Sequence, residues 1–135
     1  MSGFEKLKKL KKLYLTRNRI QVLEGLLENR SLEELHVDRQ LLRPGEHFVM
    51  DPRNCVALSS CLSVLNISGS NCHDITGVEL MSNIQSLVAS DNHLTSLDSI
   101  LDIVSNLGML HHLDLKNNVK LNRLGANFTN FLMTL

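Results

Sequence analysis

The sequence predicts an α/β solenoid: five short parallel strands side by side on a concave face, backed on the convex side by short helices or helical turns. Three observations predict it. Apolar residues return at the same uneven offsets in five stretches. Inside each stretch they alternate with period two, as in a strand with one buried face. After each stretch the apolar spacing becomes near-helical.

The stretches begin at residues 10, 32, 62, 84 and 110, in steps of 22, 30, 22 and 26 residues. The first, "LKKLYLTRNRI", sets Leu10, Leu13, Leu15, Asn18 and Ile20. The second sets Leu32, Leu35, Val37, Gln40 and Leu42, and the third Leu62, Leu65, Ile67, Ser70 and Cys72. The fourth sets Ile84, Leu87, Ala89, Asn92 and Leu94, and the fifth Leu110, Leu113, Leu115 and Asn118, with Lys120 in an apolar place. The common pattern, L-x-x-L-x-L-x-x-N-x-L, is the leucine-rich repeat signature. The alternating leucines point inward, and the Asn side chain bonds backbone groups that the bend leaves unpaired. The following pairs, Leu23 and Leu26 or Ile75 and Val78, are expected on a short helix or helical turn that closes the core. No single unit buries its own leucines, so the units must stack.

Two irregularities carry predictions. The 30-residue step holds about eight extra residues in an insert at 43–61. There Pro44-Gly45 marks a turn, and Asp51-Pro52 an N-cap with proline at the first helical position, so a helix is predicted over 52–61 with Cys55, Leu58 and Cys61 inward. Gln40 and Ser70 stand where Asn belongs, which predicts a broken Asn ladder and the lowest local stability there.

The chain of 135 residues balances to zero formal charge, which fits one domain over 1–135 and lacks the footprint of a nucleic-acid binder. No apolar run has the length of a membrane span or of a signal-peptide core, so a cytosolic or nuclear, membrane-free location is expected. Cys55, Cys61 and Cys72 are an odd set suited to a reducing compartment. The glycosylation patterns at Asn29, Asn66 and Asn127 are then chance matches. Few residues precede the first strand, and the tail 119–135 is atypical. Its Leu121, Leu124, Phe128, Phe131 and Leu132 suit a half-cap. A shortened form of a longer repeat protein, with an association-prone edge strand, is the expectation.

Chemistry finds little support in the residues. Cys72-His73-Asp74 is tempting, but neighbours in a strand or turn do not converge on one ion, and Cys72 fills a core position. His111 and His112 point to opposite faces. The run "EKLKKLKKL" keeps Leu7, Leu10 and Leu13 three apart with lysines outward, a solvated face. No phosphate loop, nucleophile elbow or zinc spacing occurs. The chain is expected to be non-catalytic, without cofactor or metal.

What remains is the concave face, where the residues flanking the inner leucines are exposed. Tyr14, His36, Asn66, Val88 and Asp114 fall in one row, joined by Arg17, Asp38, Asp91 and His112 as candidate partner-binding residues.

At these residues, and at the run "N-x-I-x-x-L-x-G-L" over Asn18 to Leu26, the chain resembles the short-repeat leucine-rich family that includes leucine-rich regulators of protein phosphatase 1. The resemblance covers roughly residues 5 to 118, insert included. It implies a regulatory subunit that binds the protein phosphatase 1 catalytic subunit, in the cytoplasm and at the cytoskeleton or centrosome (a microtubule-organising centre). The alternative it implies is a cytoskeletal scaffold that binds tubulin or a centrosomal protein. No basic-x-V-x-F docking peptide is present, since "EHFVM" has the wrong order, so any phosphatase contact falls to the concave face.

Overall fold

The computed structural model describes residues 2–122 of the chain. The half-cap expected of Leu124, Phe128, Phe131 and Leu132, like the pattern at Asn127, lies outside the described residues. The architecture is mixed α/β. Strands β1 (Lys12–Tyr14), β3 (Glu34–His36), β5 (Val64–Asn66), β6 (Ser86–Val88) and β7 (His112–Asp114) form one parallel sheet in the order β1-β3-β5-β6-β7.

The register is the one the leucine offsets require. Leu13 pairs with Leu35, Leu35 with Leu65, Leu65 with Leu87, and Leu87 with Leu113. Leu35, Leu65 and Leu87 are fully buried, as are Val37, Ile67 and Ala89 two residues on. Leu13 and Leu113, on the outer strands, are only partly covered. Each fully buried leucine contributes about 1.5–3 kcal/mol of apolar transfer, so the three central strands anchor the sheet.

A second, two-stranded parallel sheet sits on the other side of this core: β2 (Val22–Leu23) against β4 (Val49–Met50). This corrects the expected helical turn at Leu23 and Leu26. Both leucines are buried as required, but Val22–Leu23 is extended because the insert supplies it with a partner strand. Val49 donates its N–H to the Gln21 carbonyl at 2.9 Å and Asp51 to the Leu23 carbonyl at 3.0 Å. With those bonds available, extended backbone at β-branched Val22 is favoured over a helical turn.

The insert helix, α1 (Pro52–Leu58), forms as its N-cap predicts: Asp51 accepts from the Arg53 N–H at 2.9 Å and Pro52 opens the helix. Cys55 and Leu58 face the core, but the helix stops at Leu58 instead of running to 61, and Cys61 is only partly buried. Buried Ile75 leads into a 3-10 turn over Val78–Leu80 that buries Val78. In the next crossover α2 (Leu97–Ser105) is capped by Ser96 and buries Ile100 and Val104. A last short helix, α3 (Val119–Asn122), follows β7.

The ladder expected to break at Gln40 and Ser70 is continuous. The longer amide of Gln40 reaches back to accept from the Ile20 N–H and donate to the Leu15 carbonyl, both at 2.8 Å. The Ser70 hydroxyl donates to the Val37 carbonyl at 2.7 Å and accepts from the Gln40 N–H at 3.4 Å. Asn92 accepts from Ser70 and Cys72, each at 3.0 Å, and donates to the carbonyls of Ile67, Ala89 and Ser90. Asn118 accepts from the Leu94 N–H and donates to Ala89 and Leu115. Gln substitutes by length and Ser by close approach, so the premise for a weak centre falls.

The residue just before each ladder position is left-handed. Arg17, Arg39, Gly69, Asp91 and Asn117 have φ between 55° and 61°. This column turns the chain out of the sheet. The conformation is easy for glycine and asparagine and costs about 1 kcal/mol or more at an arginine.

Candidate functional site

The sheet presents every other residue away from the core, and its register brings the expected row together. Tyr14 pairs with His36, His36 with Asn66, Asn66 with Val88, and Val88 with Asp114. At about 4.8 Å between strands the row spans roughly 19 Å.

Side chains along the row hold one another. The Tyr14 ring, 62% exposed, stacks on His36 with centroids 4.6 Å apart and planes 7° from parallel. Glu34, one strand step away on the same face, accepts from the Tyr14 hydroxyl at 3.4 Å and meets His36 Nε2 at 3.4 Å. Asn66 Nδ2 lies 3.4 Å from His36 Nδ1. Below this row Thr16 donates to Asp38 at 2.8 Å, and the Ser68 and Ser90 hydroxyls meet at 3.0 Å. The face is thus an aromatic plate and charged groups at one end, then small neutral side chains over β5 and β6, then His112 and Asp114 on β7. Such a surface is open and pre-ordered, and it offers contacts across several strands at once.

Arg17 and Asp91 are not strand residues. They occupy the left-handed turns at the sheet's end, where Asp91 accepts from Asn117 Nδ2 at 2.9 Å. Glu34, an outward residue of the second stretch by its alternation but not one of the candidate partner-binding residues, ties Tyr14 to His36. Its spacing two residues from His36 was the available signal.

The cysteine and histidine groups fall elsewhere. Burial pushes the Cys72 thiol up to about 12 and the Cys55 thiol up to about 11, with Asp74 and Glu79 respectively adding to the effect. Cys61 is raised as well, chiefly by desolvation. Thiols held so far from ionisation are poor nucleophiles at neutral pH. His47, His73 and His93 form a file on the rim, with ring centroids 3.8 and 5.8 Å apart. Sequence reasoning did not pair them, because the insert brings His47 across from a distant stretch. Among the described residues no group of three His, Cys, Asp or Glu is arranged to hold a metal ion, and no helix is long and apolar enough to cross a membrane. Asn29 is buried, donating to the carbonyls of Phe4 and Leu7 at 2.9 and 3.1 Å. No protein-family model matches the chain.

Proposed function

We propose that this chain is a leucine-rich repeat solenoid acting as a non-catalytic protein-binding module, a regulatory subunit that docks the protein phosphatase 1 catalytic subunit on its concave face. The observation that carries the binding reading is the in-register row Tyr14, His36, Asn66, Val88 and Asp114 on the open face of the five-stranded sheet. Support for the solenoid comes from the shared register of all five strands and the continuous ladder of Gln40, Ser70, Asn92 and Asn118. A single exposed tyrosine held rigid by stacking is a good anchor, since it adds contact area with little entropy to lose on binding. A row of roughly 19 Å matches the scale of a protein partner better than that of a small molecule. The choice of phosphatase rests on the family resemblance.

The test is size-exclusion chromatography with light scattering on the chain alone and mixed with the phosphatase catalytic subunit. A one-to-one complex that is lost in Tyr14→Ala/His36→Ala supports the reading. Absence of a complex, together with salt-sensitive co-pelleting with microtubules, would replace it by the tubulin-binding scaffold.

A further inference from the structure

The concave-face reading leaves the first edge of the sheet unused. Among the described residues β1 pairs on one side only. Toward β3 it uses the Lys11 carbonyl and the N–H groups of Leu15 and Arg17. Main-chain groups alternate sides along a parallel strand, so those of Lys12, Tyr14 and Thr16 point to the open edge.

The ladder has the same asymmetry. Gln40, Ser70, Asn92 and Asn118 each accept an N–H from the preceding turn of the chain. Asn18 instead donates locally, to the carbonyls of Leu15 and Thr16. Beside it an opening of about 600 Å³ is lined by Phe4, Leu15, Ile20 and Val22 among others. The end therefore offers backbone partners and an apolar recess together.

Charge selects the occupant. The first 30 residues hold eight basic and three acidic side chains in a chain whose total is zero. Lys8, Lys9 and Lys11, just before β1, and Lys12, its first residue, are exposed, and Asn29 pins the segment leading into the strand through Phe4 and Leu7. A second copy would bring an equally basic β1. Residues 123–135 hold one arginine and no acidic residue. Nucleic acid would meet repulsion from the acidic remainder of the chain.

From this we infer that the β1 edge is a second docking site, which takes an extended segment of a partner protein alternating apolar and acidic residues and adds it to the sheet as a further strand. Main-chain bonds to Lys12, Tyr14 and Thr16 supply the binding, the recess takes the apolar side chains, and the lysines select acidic ones.

The probe is a fluorescein-labelled synthetic peptide alternating leucine and glutamate, titrated into the full chain while amide hydrogen exchange is followed. Saturable binding that weakens with salt and slows exchange at Lys12, Tyr14 and Thr16 is expected. Lys8→Glu/Lys9→Glu should weaken it about tenfold, with the melt of the protein unchanged. A peptide with a central proline and the same charges should not bind, since it lacks the N–H the edge requires. His36→Ala, on β3 and off the edge strand, should bind the peptide as the parent does, which separates this edge from the concave-face reading. Failure of the peptide to bind, or equal binding of the proline peptide, overturns the proposal. So does slowed exchange at those amides without peptide: if it deepens with protein concentration the occupant is a second copy, and if not, the rest of this chain.

Discussion

The tyrosine at position 14 and the histidine at position 36 come from strands joined by one crossover, 22 residues apart in sequence, yet their rings lie 4.6 Å apart and nearly parallel. Glu34 reaches both polar tips, so the plate is fixed before any partner arrives. Tyr14→Ala should change unfolding free energy by less than about 1 kcal/mol, since the ring is mostly exposed. Partner binding should fall at least about tenfold, as for an aromatic anchor. Denaturant titration and calorimetric binding on the same variant measure the two effects; a large stability loss would make the plate structural.

Leu65 is the central residue of the inner leucine line and is fully buried. Leu65→Ala should cost about 2–5 kcal/mol by leaving a cavity between fixed strands. Chemical denaturation reads this directly, and a harmless substitution would refute the register.

The ladder predicts an unequal pair. Asn92 makes five buried hydrogen bonds, three to the preceding turn and two to its own, whereas exposed Asn18 makes two to its own turn. Asn92→Ala should therefore cost about 2–4 kcal/mol and Asn18→Ala under about 1 kcal/mol. Equal losses in urea melts would mean that the side chains merely fill space.

Gly77 sits at φ 108°, and a Cβ there would stand 2.9 Å from Cys55 Sγ and 3.6 Å from Met50 Cβ. Gly77→Ala combines backbone strain with a clash against the insert helix. A loss of about 2–4 kcal/mol is expected, with slower-protected amides in 49–58 the first to exchange. Thermal melts and hydrogen exchange check the size and the place.

His73 is held below the ordinary imidazole value of 6.5, first by lost solvation and then by His47, His93 and Lys120, with Asp74 opposing. A base with a lowered folded pKa takes its proton first in the unfolded chain. Its stabilising effect is therefore complete above about pH 6.5 and is lost as pH falls toward the folded value. Denaturant midpoints should drop as pH falls below about 6.5, and less so in His73→Gln. The titration midpoint of the His73 ring signals by NMR, expected below the ordinary imidazole value, checks the direction at the residue itself.

Much of this was legible in the chain because burial imposes a period. Leu35, Leu65 and Leu87 could not be buried on one wall in any other register, so their offsets gave the strands and the outward row. Asp51-Pro52 likewise announced α1 by local capping chemistry alone. The paired strands Val22–Leu23 and Val49–Met50 are two residues each and have no period to detect. Gln40 and Ser70 looked like defects because a sequence carries no distances, and distance decides whether a longer or shorter side chain closes the same bond. The left-handed column shows as glycine only at Gly69; Arg17 and Arg39 conceal it. At the site, the outward row needed only alternation, while the tie through Glu34 and the His47–His73–His93 file needed contacts between distant stretches.

The crossovers between strands differ in length by as much as eight residues, and the longest builds a helix and a strand that pairs with the crossover before it. The displayed row ignores this, because strand pairing alone sets the distance from Tyr14 to His36 and from His36 to Asn66. Spacing on one side and loop content on the other are independent variables. Such a scaffold can acquire or discard material along its back edge during evolution, or in a designer's hands, while the pattern it shows to the front keeps its ruler.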